Sequence, residues 1–339
     1  MLKLSFILPC YNIEKYVERC VDSIYACDLR QTDYEIICVN DCSSDGSLQI
    51  LKRLNNMYGN LRIVDLPHRF FWGGARNQGL IAAQGEYVWF VDSDDTICSE
   101  GIGEALKMAL NETLDVLCFN YRRVDDGGKE LSRHLVFDNV ETQDGLSYVK
   151  NTFGKGIVHH MGYVWRFLYR RRYLLDNNLL FPEGVCWEDT VFMPETMLQA
   201  EKIASIKSVL YSYRVNPSSI SGTFVRRYPA NLIYEYAFCA GNDLLQFSSR
   251  IKDKDLNEAF LNTARNRYIN GFIVNLCRTS FKERTNFYSL LRKNRILINS
   301  LKPFCSVYSK LLLNPYLGRF ICEILSFVYS IKKWLRKGK

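Results

Sequence analysis

The first half of the chain alternates short apolar runs with segments whose apolar residues recur at helical spacing. The apolar runs predict buried strands and the segments between them predict helices. The predicted strands are Leu4–Leu8, Ile36–Asn40, Arg62–Leu66, Tyr87–Val91 and Val116–Asn120. The predicted helices are Ile13–Tyr25, Leu48–Met57, Ala75–Ala83 and Gly101–Leu110. This alternation is typical of an α/β fold with a mostly parallel, helix-covered sheet.

The pattern changes in the second half. The alternation of apolar runs and helical segments becomes irregular through the polar segment Asp125–Lys129 and is regular again over Tyr163–Tyr213. Beyond Gly222 nearly all of the periodicity is helical. We therefore predict an α/β domain over residues 1–222 and a helical C-terminal region over residues 223–339.

The charge of the chain is unevenly distributed. The 339 residues carry a net charge of +8, and 47% of them are hydrophobic, which is enough for a sizeable core. Residues 1–222 hold 23 Lys and Arg against 29 Asp and Glu, whereas residues 223–339 hold 21 against 7. The basic character therefore belongs to the C-terminal region.

The cysteines and the N-terminus bear on the compartment. The twelve cysteines form no CxxC pair, so neither a zinc site nor a disulfide framework is indicated. The N-terminal apolar run Leu4–Leu8 is too short for a signal sequence, and no uncharged stretch reaches the length of a membrane span. We expect a cytoplasmic protein with reduced thiols.

Three carboxylates, those of Asp92, Asp94 and Asp95, follow the predicted strand Tyr87–Val91. Like charges at one strand tip repel unless water, a cation or backbone donors compensate them. One interpretation is a solvated turn in which Ser93 or an Asp caps the next helix. The other is a metal site, because ligand sites of open α/β sheets cluster at the ends of strands.

Polar groups follow two further strands. Tyr11 comes after the first strand and Asp41 after the second. Because parallel strands end at one edge of a sheet, we expect Tyr11, Asp41, Asp92 and Asp94 in one crevice that could hold a nucleotide and a cation. No glycine-rich dinucleotide motif follows the first strand. A P-loop and a calcium loop are excluded by Leu80-Ile81 and Lys52, which stand where their ligands are required.

Two further groups could serve the same edge. The helix opened by Gly73-Gly74-Ala75-Arg76-Asn77 offers backbone N–H groups and one cation to a phosphate or an acidic base edge. Glu188 and Asp189 precede the apolar-periodic stretch Val191–Leu198. Taken alone, they fit the ordinary preference of acidic residues for a helix N-terminus.

Six segments together resemble the family 2 glycosyltransferases of bacterial polysaccharide type, over about residues 3–222. They are FILPCYN (6–12), VNDCSSDGS (39–47), GGARNQG (73–79), FVDSDD (90–95), FPEGVCWED (181–189) and YSYRVNPSSIS (211–221). The resemblance implies the GT-A (Rossmann-like) α/β fold, with helices on both faces of the sheet. It also implies inverting transfer of one sugar from a nucleotide sugar, with a UDP-sugar favoured, to a glycan or lipid-linked saccharide.

The resemblance also implies roles for individual residues. Pro9, Tyr11 and Asp41 match the group that contacts the nucleobase, and Arg76 matches a helper to base or phosphate. Asp92 matches the ribose-contacting residue of the DXD motif.

Three of the remaining matches concern the reaction itself. Asp94 would ligate Mn²⁺ or Mg²⁺ on the diphosphate, since a hard carboxylate oxygen suits both ions. Asp189 matches the catalytic base, with Glu188 as the second candidate. Arg214 could hold the leaving diphosphate or make a structural ion pair.

The sequence departs from the family pattern in three places. Cys42 replaces a usual glycine, and Phe70–Gly73 replace a small polar approach, which affects how the donor fits. No QxxRW segment follows Asp189, which argues against a processive synthase. An inactive sugar-nucleotide binding module and a nucleotidyltransferase remain as alternatives.

The C-terminal segment from Arg319 to Lys339 has a two-faced helical pattern. Its apolar face holds Phe320, Ile324, Phe327, Val328, Ile331 and Trp334. Packing on the core and docking on an anionic membrane surface both fit this pattern. No recognition motif for nucleic acid accompanies the charge. The second interpretation predicts a peripheral protein on the inner face of the cell membrane.

Overall fold

The computed structural model describes residues 2–153, 163–183, 188–215, 243–263, 281–293, 312, 314 and 317–326. Contacts divide the chain into two compact units, Met1–Asn216 and Pro217–Lys339. The predicted boundary near Gly222 lies outside the described residues.

The first unit is built on one ten-stranded sheet. Its strands are β1 (Leu4–Cys10), β2 (Tyr34–Asn40), β3 (Leu61–Asp65), β4 (Tyr87–Phe90), β5 (Thr96–Ile97), β6 (Val116–Val124), β7 (Glu130–His134), β8 (Val140–Gln143), β9 (Phe167–Arg170) and β10 (Ile203–Arg214). The helices are α1 (Val17–Tyr25), α2 (Ser47–Met57), α3 (Phe71–Ala82), α4 (Ile102–Glu112), α5 (Gly145–Phe153), α6 (Arg171–Asp176) and α7 (Asp189–Gln199).

The strand order is β3-β2-β1-β4-β9-β6-β10-β5, with β7 added to β6 and β8 added to β10. Strands β1 to β4 pair in parallel, as do β6 and β10. Strand β9 lies between β4 and β6 and is antiparallel to both. The predicted α/β fold with a helix-covered parallel sheet is confirmed, and β9 joins the parallel half to a mixed half.

The two faces of β1 show how helices cover both sides of the sheet. Phe6 and Leu8 belong to the core cluster that includes the apolar stripe of α1, whose buried members are Val17, Cys20, Val21 and Ile24. Ile7 points to the opposite face, where a Cβ on Gly79 of α3 would overlap its Cγ2 methyl. Each such buried aliphatic side chain contributes about 1.5–3 kcal/mol to the free energy of unfolding.

Two helices begin four residues away from their predicted starts, for local reasons. Helix α1 begins at Val17, and Ile13 N instead donates to Ser47 Oγ (2.8 Å), which ties Ile13 to the first residue of α2. Helix α3 begins at Phe71, four residues before the predicted start. Its first turn is secured by Asp41, whose Oδ1 accepts a hydrogen bond from Phe70 N (2.6 Å).

The described part of the second unit is mainly helical. It contains α8 (Lys254–Thr263) and α9 (Phe281–Lys293), together with helical residues 243–248 and 317–326. Arg284 of α9 makes a two-armed ion pair with Glu323 (2.9 and 2.7 Å). No helix within the described ranges is both long enough and apolar enough to cross a bilayer.

Candidate functional site

The carboxyl ends of β1, β2 and β4 meet at one edge of the sheet, as predicted. Asn12 Oδ1, after β1, accepts a hydrogen bond from Ser44 N, after β2 (2.8 Å). Ser93 Oγ, after β4, donates to the backbone oxygen of Pro9 (2.6 Å). Pro9 is itself buried within β1, so its carbonyl serves to fix the turn after β4.

Arg69 connects two predicted nucleobase-contacting residues. Its guanidinium carbon lies 3.3 Å from the centroid of the Tyr11 ring, and its Nε lies 3.7 Å from Asp41 Oδ2. Burial raises the pKa of Asp41, although the hydrogen bond from Phe70 N opposes this shift. Arg69 was not among the predicted site residues, because it precedes the GGARNQG segment and belongs to no motif.

Arg76 brings the tip of β4 together with the start of α7. Its Nη2 donates to Asp92 Oδ1 (2.8 Å) and its Nη1 pairs with Glu188 Oε1. Burial opposes the charge of Arg76, but the carboxylates of Asp92, Glu188 and Asp189 hold its pKa above the ordinary arginine value. Residues separated by about a hundred positions in sequence therefore surround one buried cation.

Asp189 and Glu188 occupy different environments. Glu188 is buried and its carboxylate is engaged with Arg76. Asp189 is the first residue of α7 and is half-buried. Asp189 therefore lies at a helix N-terminus, where the helix dipole favours a negative charge.

A second buried arginine, Arg214, contacts the carboxylate cluster formed by Asp92, Asp94 and Asp95. Its Nη2 lies 3.0 Å from Asp94 Oδ2 and its Nη1 lies 2.7 Å from Asp126 Oδ1. The guanidinium also covers the Tyr16 ring, with its carbon 3.7 Å from the centroid. Partial burial, and then the Asp92 carboxylate, raise the pKa of Asp94 above its ordinary value.

Asp95 is buried behind the other two carboxylates and has a structural role. It accepts hydrogen bonds from Tyr211 Oη and Arg214 N (both 2.7 Å), which anchors the turn to β10. Burial, and then the charges of Asp94 and Asp92, raise the pKa of Asp95 well above its ordinary value. Of the three carboxylates, Asp92 and Asp94 are thus the two that remain accessible.

The residues of this cluster fit a divalent cation whose other ligands come from the substrate. Within the described ranges, no group of three or more His, Cys, Asp or Glu side chains is arranged to hold a metal ion. The Asp92 and Asp94 side chains are 30% and 38% exposed and offer hard oxygens. Mg²⁺ is usually held by one or two carboxylates together with water and substrate phosphates, and these two residues can supply that share.

Two of the three departures from the family pattern, at Cys42 and at Phe70–Gly73, have visible structural consequences. Cys42 has a φ of 58°, in the left-handed region that favours glycine. Its Sγ donates to the backbone oxygen of Leu66 (3.2 Å), which helps to hold this conformation. Phe71 also has a positive φ of 62°, at the first turn of α3. Each of these local strains lies at the edge of the candidate site.

Comparison with known proteins identifies the family. The sequence model described as Glycosyl transferase family 2 matches residues 5–176, which is half of the chain. The chain belongs to glycosyltransferase family 2.

Individual family 2 relatives are similar over part of their length. The uncharacterized glycosyltransferase EpsJ of Bacillus subtilis is 34% identical over 229 residues, which is 64% of this chain and 62% of that protein. The poly(ribitol-phosphate) beta-N-acetylglucosaminyltransferase TarS of Staphylococcus aureus is 32% identical over 221 residues. That match covers 63% of this chain and 35% of TarS. The chain therefore spans less than two thirds of the length of both relatives.

Solved structures show the same GT-A fold. The crystal structure of TarS residues 1–349 with UDP-GlcNAc superposes with a TM-score of 0.69 and 22% identity, covering 98% of this chain and 92% of that one. The mannosyltransferase PcManGT of Pyrobaculum calidifontis, solved with GDP-Man and Mn²⁺, gives a TM-score of 0.53 at 15% identity. The family 2 fold is thus confirmed for this chain.

Proposed function

We propose that the first unit is the catalytic domain of an inverting glycosyltransferase that moves one sugar from a nucleotide sugar to a hydroxyl of a glycan or lipid-linked saccharide. One observation carries the proposal: Asp92, Glu188 and Asp189 surround Arg76 at the edge where β1, β2 and β4 end. Residues predicted for donor binding and for base catalysis are thereby placed side by side.

The residues divide the reaction between them. Asp189 takes the proton of the acceptor hydroxyl as that oxygen attacks the anomeric carbon. The carbon–oxygen bond to the diphosphate breaks on the opposite face, and its electron pair leaves with the diphosphate. A divalent cation, Mn²⁺ or Mg²⁺, held by Asp94 would supply positive charge to that leaving group. Arg76 holds Asp92 and Glu188 in place throughout.

The donor is a UDP-sugar in this proposal. The TarS structures with UDP-GlcNAc and with UDP support it, because they share the fold over 98% and 100% of this chain. Tyr11 with Arg69 stacked on it offers a flat cationic surface for the base, and Asp41 lies beside them.

We also propose that the enzyme works at the cytoplasmic face of the membrane. Support comes from the charge of residues 223–339 and from the described start of the predicted C-terminal helix, where Phe320 and Ile324 are 65% and 48% exposed. The remainder of that helix, including Trp334, lies outside the described residues.

The test is a hydrolysis screen of purified full-length protein against UDP-, GDP-, dTDP- and CMP-sugars, with Mn²⁺, Mg²⁺ or EDTA. We expect release of nucleoside diphosphate from a UDP-sugar that depends on the divalent cation. Binding of nucleotide sugars without any turnover would identify an inactive binding module. Formation of pyrophosphate from a nucleoside triphosphate and a sugar phosphate would identify a nucleotidyltransferase.

A further inference from the structure

A second concave site lies in the first unit, on the mixed half of the sheet. This aromatic cleft has a volume of about 230 Å³ and is lined by Tyr121, Arg123, His134, Tyr163, Trp165 and Tyr213. Sites that enclose a whole drug-sized ligand occupy about 300–1,000 Å³. The aromatic cleft is therefore sized for a single ring rather than for a nucleotide.

The walls of the aromatic cleft are ordered by ring stacking. Trp165 is buried, and Tyr163 and Tyr213 stack on it with ring centroids 5.0 and 5.7 Å away. His134 stacks on Tyr121 with a centroid separation of 4.7 Å and an interplanar angle of 7°. Tyr163 is 39% exposed, so its side chain is accessible to a ligand.

Polar groups at the aromatic cleft can bind hydroxyl groups. Arg123 lines the aromatic cleft, and its guanidinium carries five N–H donors that suit the hydroxyl oxygens of a ligand. Burial raises the pKa of Tyr121 to about 12, so its phenol stays protonated and can donate. An aromatic wall with a few convergent polar groups is the usual make-up of a small-ligand site.

The aromatic cleft is joined to the carboxylate cluster through one residue. The Trp165 ring stacks on Tyr211 with centroids 4.2 Å apart and an interplanar angle of 10°. The Tyr211 hydroxyl donates to Asp95 Oδ2 (2.7 Å) and accepts from Asp92 N (3.2 Å). On β10, Tyr213 of the cleft directly precedes Arg214, which pairs with Asp94.

We infer that the aromatic cleft is the subsite for a pyranose ring of the acceptor saccharide. The inference rests on the proposed glycosyl transfer. The C–H face of a pyranose packs against an aromatic ring, while its hydroxyls accept hydrogen bonds from Arg123 and Tyr121. A lipid chain would leave these polar groups unsatisfied, which favours a sugar over the lipid part of the acceptor.

The experiment measures saccharide binding by saturation-transfer NMR on the full chain, with the methyl β-glycosides of glucose, galactose and N-acetylglucosamine as probes. The variants are Tyr163→Ala, which removes the stacking ring, and Tyr163→Phe, which keeps it. The matched control is Tyr58→Ala, which removes a tyrosine that stacks on Tyr25 (3.8 Å) elsewhere in the same unit. Donor hydrolysis by the unmodified protein is recorded in parallel.

We expect at least one glycoside to bind, and Tyr163→Ala to weaken binding by about three- to tenfold, the effect of one aromatic stacking contact. Tyr163→Phe and Tyr58→Ala should retain the affinity. If no glycoside binds, or if Tyr163→Ala binds as well as the unmodified chain, the inference is overturned even where donor hydrolysis is intact. If Tyr163-dependent binding occurs but no donor is hydrolysed, the cleft stands and the proposed function fails.

Discussion

At the scale of single residues, the site depends on how two arginines compensate buried negative charge. Arg76 serves carboxylates from β4 and α7, and Arg214 serves those of Asp94 and Asp126. Removing one partner of a buried ion pair costs about 3–5 kcal/mol, because the other charge is left uncompensated. Arg76 is buried, and the carboxylates that remain beside it offset part of this cost when one of them is removed.

The metal assignment predicts a specific loss in Asp94→Ala. Calorimetric titration with UDP should show Mn²⁺-assisted binding in the unmodified protein and none in the variant, because the carboxylate ligand is gone. Asp126→Ala is the matched control, since it removes the other carboxylate partner of Arg214. The Asp126 side chain is 66% exposed. Unchanged Mn²⁺ dependence in Asp94→Ala would rule out Asp94 as the ligand.

The two acidic residues before α7 should differ in effect. Asp189→Asn should lower the rate of sugar transfer by about a hundredfold or more while nucleotide binding is retained, because positioned general bases contribute that much. Glu188→Gln should instead lower the free energy of unfolding by up to about 3–5 kcal/mol, because Arg76 loses a charged partner. Transfer rates and urea unfolding curves measure both effects. Near-normal transfer by Asp189→Asn with none by Glu188→Gln would reverse the assignment.

The sequence supplied the residue types of the site but not their partners. Asp92, Asp94 and Asp189 could be named because they belong to recognisable segments. The pairing of Arg76 with Glu188 could not, since these residues are 112 positions apart and meet only in the folded chain. Arg69 was missed for the same reason, as its contact with Tyr11 exists only in the folded chain.

At the scale of elements, α3 is the part that positions the site. It carries Arg76 and packs on β1 through Gly79. Asn77 Oδ1 accepts a hydrogen bond from Phe181 N (2.9 Å), and its Nδ2 donates to the Phe181 carbonyl (2.9 Å). Phe181 is thereby held against the helix that carries Arg76.

The close approach at Gly73 gives a test of this packing. A Cβ there would overlap the backbone oxygen of Pro182, which cannot move aside as a flexible side chain would. We expect Gly73→Ala to lower the free energy of unfolding by about 1–3 kcal/mol and to reduce donor hydrolysis, because Arg76 and Glu188 are displaced. Gly59→Ala is the control, since nothing lies within 4 Å of a Cβ at that position. Equal stability and activity in the two variants would contradict this account.

Some strands could be predicted from the sequence pattern and others could not. Strands β1, β2 and β4 are buried along their whole length, so continuous apolar runs predicted them. Strand β7 is mostly exposed and reads as a polar segment, which carries no strand signal. The antiparallel insertion of β9 between β4 and β6 is a property of topology, and hydrophobic periodicity does not encode it.

At the scale of the whole molecule, the net charge changes sign along the sequence, from negative over residues 1–222 to positive over residues 223–339. Residues 223–339 hold 21 Lys and Arg against 7 Asp and Glu. Basic residues near an anionic bilayer contribute about 1 kcal/mol each to binding. Leu317, Phe320 and Ile324 expose apolar surface on one helix within this region.

Membrane docking through this helix predicts a salt-sensitive association. The double variant Phe320→Ser with Ile324→Ser should co-sediment less with liposomes that contain acidic lipid, because the apolar contact is lost. Leu131→Ser with Leu135→Ser is the matched control, since those two side chains in the first unit are 54% and 64% exposed. If co-sedimentation does not depend on the acidic lipid, or if both double variants lose it equally, the helix packs on the protein and does not bind the membrane.

Tyr211 connects the aromatic cleft to the turn after β4. Its ring supports the floor of the aromatic cleft, and its hydroxyl holds the turn that carries Asp92 and Asp95. A ligand on either side therefore acts on the same side chain, and any such coupling is reciprocal. In initial-rate experiments, a saturating acceptor should alter the apparent KM for the donor, and Tyr211→Phe should bring the two substrates closer to independent binding.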